Sequence, residues 1–402
     1  MLAAFASLIL AAPLRAPAAA VPKNLENAIK ADNKKALAQA LNKRPSHSSA
    51  DAAMLIAAKY GSETCLELLL ARTSDVNYQR DDGSCALHFV AQNNYPRCVA
   101  LLLEAGADPN LKNEDGSAAI HYASRTGNHK CLALLLAGGA SVNLERSNGL
   151  TALMIASSQA QADCVAVLLG VKKVDIGKQM ADGMSALHFA CLAGDAAADC
   201  VSLLLKGGKA KKLTELTGKQ LGTPLQAACT AGNAKAVKAL VTAGADVDRA
   251  APDGSTALHF AANAASAACI TALLDAGANP DLTRKADGGA ALHYACAGGA
   301  GAVECVRALV AGNADPNLQR NDGASPCHLA AQNGAVEAVQ ILVRNGANVN
   351  SVMPNARAAT EGMTKLTTPL DLALQAKQQQ CAAAMLKLGA SQGRELGPVD
   401  GY

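Results

Sequence analysis

Apolar positions along the chain recur with a helical period, broken at regular intervals. Asp82 to Asn110 reads DGSCALHFVAQNNYPRCVALLLEAGADPN, and Asp115 to Asn143 reads DGSAAIHYASRTGNHKCLALLLAGGASVN. The two stretches lie 33 residues apart and share Gly, His, Cys, a Leu run and a terminal Asn in register. Each predicts two short amphipathic helices separated by a tight turn, then a polar loop. A period in the 20–50 range marks a stacked repeat, in which no unit buries its apolar face alone. Ten anchors carry the pattern: Met54, Leu87, Ile120, Leu153, Leu187, Leu225, Leu258, Leu292, Cys327 and Leu370. Most intervals are 33 to 35 residues; the longer ones are 38 before Leu225 and 43 before Leu370.

The flanking positions supply reasons for the elements. A Ser or Thr before the first helix predicts an N-cap. Gly61, Gly127, Gly194, Gly232, Gly299 and Gly334 stand between the helices. Gly106, Gly139, Gly208, Gly244, Gly277, Gly346 and Gly389 stand where a left-handed helix stop is needed, with Asn313 in that role in repeat eight. Cys98, Leu101, Leu102 and Ala105 are expected on one face of a second helix. Asn77, Asn110, Asn143, Asn317 and Asn350 are placed to bond turn backbone in the loops. Leu25, Ala28, Ile29, Leu37 and Leu41 predict a degenerate capping unit with Lys, Asn, Asp and Gln outward.

Repeat four departs most, with Met154 for His, Ala160 for the turn Gly and Lys172 at the helix stop; repeat five is followed by the insertion KGGKAKKLTELTGKQLG. A softer junction between about 155 and 222 is expected, with faster amide exchange than in repeats two and three. The domain reading is 1–22 as a flexible or targeting extension, 23–48 as the capping repeat, 49–390 as the array and 391–402 as a polar tail.

SALHFACLAG at Ser185, STALHFAANA at Ser255, SPCHLAAQNG at Ser325, TPLQAACTAG at Thr223 and TTPLDLALQA at Thr367 resemble the ankyrin repeat, over roughly residues 24–390. The resemblance implies an all-α solenoid of helix-turn-helix units joined by β-hairpin-like fingers. It implies protein binding on a concave face of fingers and first helices. It implies that the recurring His bonds locally and ties a repeat to the next finger, and that finger asparagines such as Asn110 are hydroxylation targets where that enzyme exists.

Composition narrows the function. Half the residues are apolar, which excludes general disorder. There is no Trp, with four Phe and six Tyr, which argues against an aromatic cofactor pocket or base-stacking platforms. A net charge of +3 exerts no strong pull on nucleic acid or anionic membrane. Eight of the thirteen Cys recur at one repeat position, where Ala236 and Ala338 also occur, so the position is a small packing site. Neighbouring repeats set such residues roughly 8–10 Å apart, whereas a disulfide needs Cα atoms within about 7 Å, so free thiols in a reducing compartment are expected. The same spacing separates His88, His121, His188, His259, His293 and His328 too far for one zinc ion. No CxxC, HExxH or GxxxxGK[ST] occurs, and GGAGA at Gly298 is a helix-to-helix turn.

The expectation is therefore a non-catalytic scaffold or adaptor, monomeric, without cofactor, metal or transmembrane segment, whose partners are proteins rather than nucleic acids. Candidate partner-binding residues are the finger charges Arg80, Asp81, Lys112, Arg146, Lys178, Arg249, Arg284 and Arg320, with Lys209, Lys211 and Lys212 in the long insertion. Basic fingers binding nucleic acid or an acidic partner stand as an alternative. In Asp82–Asn110 the informative residues are those that do not repeat: Gln92 to Tyr95, with Tyr78 to Asp81 just before. Localisation is read as cytoplasmic or nuclear, against an organelle or secretory route through residues 1–20, whose apolar, Ala-rich stretch resembles a cleavable peptide.

Overall fold

The computed structural model describes residues 21–42, 47–206, 210–354, 364–393 and 395–396. Residues 1–20, Lys209, the helix-stop Gly208, the stretch 355–363 and the end of the tail lie outside that description. The chain forms two compact units, 1–208 and 209–402. The division falls within the insertion after repeat five.

In the first unit, Lys23–Lys30 and Lys34–Leu41 form the leading helix pair, with Leu25, Ile29 and Leu37 buried. Asn33 caps the second of these by accepting from the Ala36 amide. Repeats one to five follow, from His47–Tyr60 with Glu63–Leu70 to Ala186–Leu192 with Ala198–Leu205. In the second unit a short helix, Ala210–Thr214, precedes repeats six to ten, from Pro224–Thr230 with Ala234–Thr242 to Pro369–Gln375 with Gln379–Lys387. In repeats five and eight, an extra 3-10 turn (Gly194–Ala197 and Gly299–Ala302) precedes the second helix. These turns are the two short insertions that displace Cys200 and Cys305, and the second is the GGAGA stretch.

The core runs between the helix pairs. First helices are buried almost throughout: Leu87, His88, Phe89, Val90 and Ala91 in repeat two each expose 2% or less. Second helices bury one narrow face, and it differs from the expected one. Cys98, Val99 and Leu102 are buried, Leu101 is half-buried and Ala105 is exposed. The stripe runs i, i+1, i+4 because each second helix must touch both its own first helix and its neighbour's second helix. Burying these faces supplies the main stabilisation, about 25 cal/mol per Å² of apolar surface.

The stops follow the expected column where it is described. Gly106, Gly139, Gly244, Gly277, Gly346 and Gly389 have φ between +85° and +95°, and Asn313 has φ +64°. Lys172 does not take a left-handed conformation, so repeat four leaves its second helix through a different loop. Ala160 does replace the turn Gly with φ +56°, as Ala265 does at +51°. Each carries the strain an L side chain meets there, of roughly 1–2 kcal/mol.

The fingers are hairpin-like, with bridges Glu145 to Thr151, Gln179 to Ser185, Gly218 to Gly222 and Thr283 to Ala290. Before repeat ten, Met353–Pro354 pairs antiparallel with Thr364–Thr367, which pairs with Glu395–Leu396. The second long insertion thus returns as a strand.

Candidate interaction surface

The residues with chemical potential face inward. His88 lies at the third position of its helix. Its Nδ1 accepts from the Cys85 amide at 3.1 Å, and its Nε2–H donates to the Leu111 carbonyl at 3.0 Å. His121 repeats this with Ala118 and Leu144, His293 with Ala290 and Leu318, and His328 with Ser325 and Thr367. His259 uses Thr256 and Gly289. An amide can donate to Nδ1 only when that nitrogen is unprotonated, so each ring is neutral with its proton on Nε2. Burial holds His88 and His121 down to about 4, and pushes His259, His293 and His328 in the same direction. Both nitrogens of these five rings are engaged, so a metal could bind only by breaking the bond between finger and helix.

This arrangement corrects the capping expectation. Hydroxyl caps that accept from the third helical amide occur at Thr151, Thr223 and Thr368. At Cys85, Ala118 and Ala290 no hydroxyl exists, and the imidazole takes the N-cap amide instead. At Ser185, Thr256 and Ser325 the hydroxyl lies 2.9 Å from the imidazole Nδ1. Two residues that stand in the His column without being His take the same N-cap amide. The Gln226 Oε1 accepts from the Thr223 amide at 2.9 Å, while its Nε2 donates to the Arg249 carbonyl at 2.7 Å. The Asp371 carboxylate accepts from the Thr368 and Gly393 amides. The shared need for an acceptor at that position was the signal available to identify both.

The finger asparagines bond forward, not within their own turns. Asn110 Oδ1 accepts from the Ser141 amide at 2.7 Å and its Nδ2 donates to the Gly139 carbonyl at 3.1 Å. Asn143, Asn317 and Asn350 repeat both bonds one repeat on. The acceptor is the turn after the second helix of the next repeat, at Gly139, Lys173, Gly346 and Gly389, so the bond forms even where repeat four lacks the glycine.

The thirteen thiols are buried and unbridged. Burial pushes Cys65 and Cys98 up to about 12 and Cys131 to about 11, which keeps the nucleophilic thiolate scarce.

The candidate partner-binding charges separate into distinct finger columns. Arg80, Arg146, Arg284 and Arg320 share one, since each backbone amide closes the finger on a carbonyl four or five residues on. The side chains of Arg146, Arg284 and Arg320 turn back along the stack to the preceding finger. Arg146 Nη2 meets Asp115 Oδ2 at 3.0 Å with its side chain 6% exposed. Arg284 pairs with Asp253 at 3.3 Å and donates to the Tyr294 hydroxyl. Arg320 pairs with Asp287 and Asp322, and Arg80 with Asp82. Burial raises the Asp115 carboxyl, but Ser117 and the Arg146 guanidinium outweigh it and hold it below the ordinary carboxylate range. Lys112 Nζ donates to the Glu145 carbonyl at 2.7 Å. Lys178 and Arg249, in another column, pair with Glu145 at 2.6 Å and Glu215 at 2.5 Å. Asp81, Lys211 and Lys212 are exposed. Lys209 lies outside the described residues.

The non-repeating residues of repeat two also bridge neighbours. Asn93 donates to the Lys59 carbonyl, Gln79 to the Gly83 and Lys112 carbonyls, and the Tyr95 ring packs against Gly61.

The family model described as ankyrin repeats (3 copies) matches overlapping segments from residue 25 to residue 395: 25–113, 87–180, 167–251, 197–284, 247–320, 263–353 and 292–395. The chain belongs to the ankyrin-repeat family. Among solved structures, it is similar to the human ASB11 ankyrin repeat domain, at 28% identity and a TM-score of 0.50, over 56% of this chain and 98% of that one. It is also similar to the ankyrin repeat domain of Bcl-3, described as a unique member of the IkappaB protein family, at 25% identity and a TM-score of 0.45, over 53% of this chain and 94% of that one. A search of the curated proteins gave no match. Ankyrin repeats are protein-interaction modules, and their all-α fold is generally a non-catalytic one. Among the described residues, no helix is long and apolar enough to cross a membrane.

Proposed function

We propose that the protein is a scaffold or adaptor that binds other proteins through its fingers and the adjoining ends of its first helices, without catalysis. The observation that carries this reading is the disposition of its reactive groups. The five engaged imidazoles and the thirteen thiols are spent on packing and on bonds between repeats. What remains for a partner is the exposed surface of the finger tips, such as Asp81 and Glu114, and the basic insertion around Lys211 and Lys212. Loop tips held on a rigid scaffold are where recognition is usually placed. The organisation we adopt is a capping repeat over 23–48, an array over 49–390 and a polar tail beyond, in a monomer that works in the cytoplasm or nucleus.

Site-specific photo-cross-linking tests the binding face. A photoreactive residue at Asp81 or Glu114 samples the fingers, and one at Ala133 or Ala166 samples exposed positions of second helices. Adducts from the finger positions and none from the second helices are expected. Adducts confined to Ala133 and Ala166 refute the proposed face.

A further inference from the structure

The finger column that holds Arg80 and Arg146 varies: Asn113, Met180 and Gly218 also occupy it, and the finger before repeat seven places only a methyl group there. The column that holds Arg80, Arg146, Arg284 and Arg320 holds Ala251 there, identified by its amide bonding the Ser255 carbonyl. In repeat eight that column lies over the aromatic residue of the first helix: the Arg284 guanidinium sits 5.4 Å from the Tyr294 ring centroid. In repeat three, Asn113 donates to the Tyr122 hydroxyl in the same relation. In repeat seven the partners are Ala251 and Phe260, and a methyl group cannot reach across the ring. Phe89 and Phe189, which follow Arg80 and Met180, are 1% and 3% exposed, whereas Phe260, like Tyr294 beneath Arg284, is half-buried.

The space left open is a pocket of about 750 Å³, walled by Ala251 and Pro252 on one finger and by Gly218 and Lys219 of the insertion on the other, with Phe260 lining it. The insertion is built to stand there. Gly218 and Gly222 pair their backbones, and a Cβ on Gly222 at φ +65° would lie 1.7 Å from Gln226 Oε1. The charge around the pocket is one-sided. Glu215 is neutralised by Arg249 and Asp253 by Arg284. Lys219 and Lys285 are exposed, and among the described residues no carboxylate pairs with either. Two free ammonium groups thus border an apolar, aromatic recess.

We propose that this pocket seats one apolar side chain, aromatic or branched, from an acidic segment of a protein partner, with flanking carboxylates on Lys219 and Lys285. The proposal rests on the protein-binding reading above and gives the partner its chemistry. A buried apolar anchor with charges at its rim is how a small pocket acquires both affinity and selectivity. A nucleic-acid strand fits less well, since one recessed ring offers no track for successive bases.

The test is fluorescence anisotropy on the full chain with labelled nine-residue peptides. The probe has four glutamates on each side of one phenylalanine; one control has glycine at the centre and another has lysines in place of the glutamates. The acidic phenylalanine peptide is expected to bind at least about tenfold more tightly than either control, since each 1.4 kcal/mol is tenfold. Ala251→Arg, which introduces the side chain that four other fingers carry, is expected to weaken it at least tenfold. Lys219→Glu with Lys285→Glu, both at exposed positions, should reverse the preference between glutamate and lysine peptides, and decides the matter should the first variant fold poorly. Equal binding by wild type and both variants, no binding of the acidic peptide, or tighter binding of the lysine peptide or of an oligothymidylate overturns the proposal. So does peptide binding that vanishes as the chain self-associates, because a second copy is then the occupant. Finger adducts that persist unchanged in Ala251→Arg would remove the pocket and leave the broader reading standing.

Discussion

Acid should loosen the first unit through its histidines, and the size of the effect can be worked out. His88 and His121 accept a backbone amide on Nδ1, so protonation must break that bond inside the core. Their folded pKa values are about 4, against 6.5 in an unfolded chain. Between those values the unfolded state binds more protons. Stability is therefore complete above pH 6.5 and is lost as pH falls toward 4. At pH 5 the unfolded ring is almost wholly protonated and the folded ring almost wholly neutral. The gap of about 1.5 units is worth roughly 2 kcal/mol per histidine, or about 4 for the pair. Gln226 supplies the control, because its amide makes the same two bonds without titrating. His88→Gln with His121→Gln should fold at pH 7.5 and lose about 4 kcal/mol less than wild type on going to pH 5. Urea denaturation followed by circular dichroism at both pH values, read on the transition of the first unit, measures this. Parallel losses in wild type and variant would refute the neutral-ring argument.

Further outcomes follow from the same geometry. Arg146→Glu should cost roughly 2–4 kcal/mol in denaturant titration, since it places a carboxylate against Asp115 at a buried position, whereas Lys211→Glu with Lys212→Glu should stay within about 0.5 kcal/mol. Ala160→Gly should raise stability by roughly 1 kcal/mol in the same assay by relieving its left-handed backbone, and Gly222→Ala should lower it by at least that much. No thiol should react with Ellman's reagent at pH 8 in the native protein, and all thirteen should react after denaturation; a rapid native reaction would contradict their burial.

The repeat, its helices and its stops could be read from the chain because the same physical demand recurs every 33 residues or so. Gly106 and Asn313 satisfy one backbone conformation, and their spacing reveals it. The partners of the finger groups were less legible. Asn110 and Arg146 each have the chemistry to bond locally, and only the stacking distance brings the Gly139 carbonyl and the Asp115 carboxylate closer than the residues beside them. The pocket at Ala251 was less legible still, since it forms beside a small side chain and the glycines of the insertion. The column that holds Arg80, Asn113, Arg146 and Met180 holds Ala251 before repeat seven, and only the fold shows what that methyl group leaves open. The charges alone directed attention to Arg284 and Arg320, which the fold uses for itself.

The bonds between repeats run both ways. His88 Nε2–H reaches forward to the Leu111 carbonyl, and Asn110 reaches forward to the turn at Gly139. Asn128 Nδ2 reaches back to the Ala91 carbonyl, the Ser62 hydroxyl back to the Ile29 carbonyl, and the Arg146 guanidinium back to Asp115. A cut between two repeats therefore separates donors from acceptors on both new faces, at about 1–3 kcal/mol for each group left unpaired. Each junction is stitched from both sides, so deleting repeats should be costly from either end.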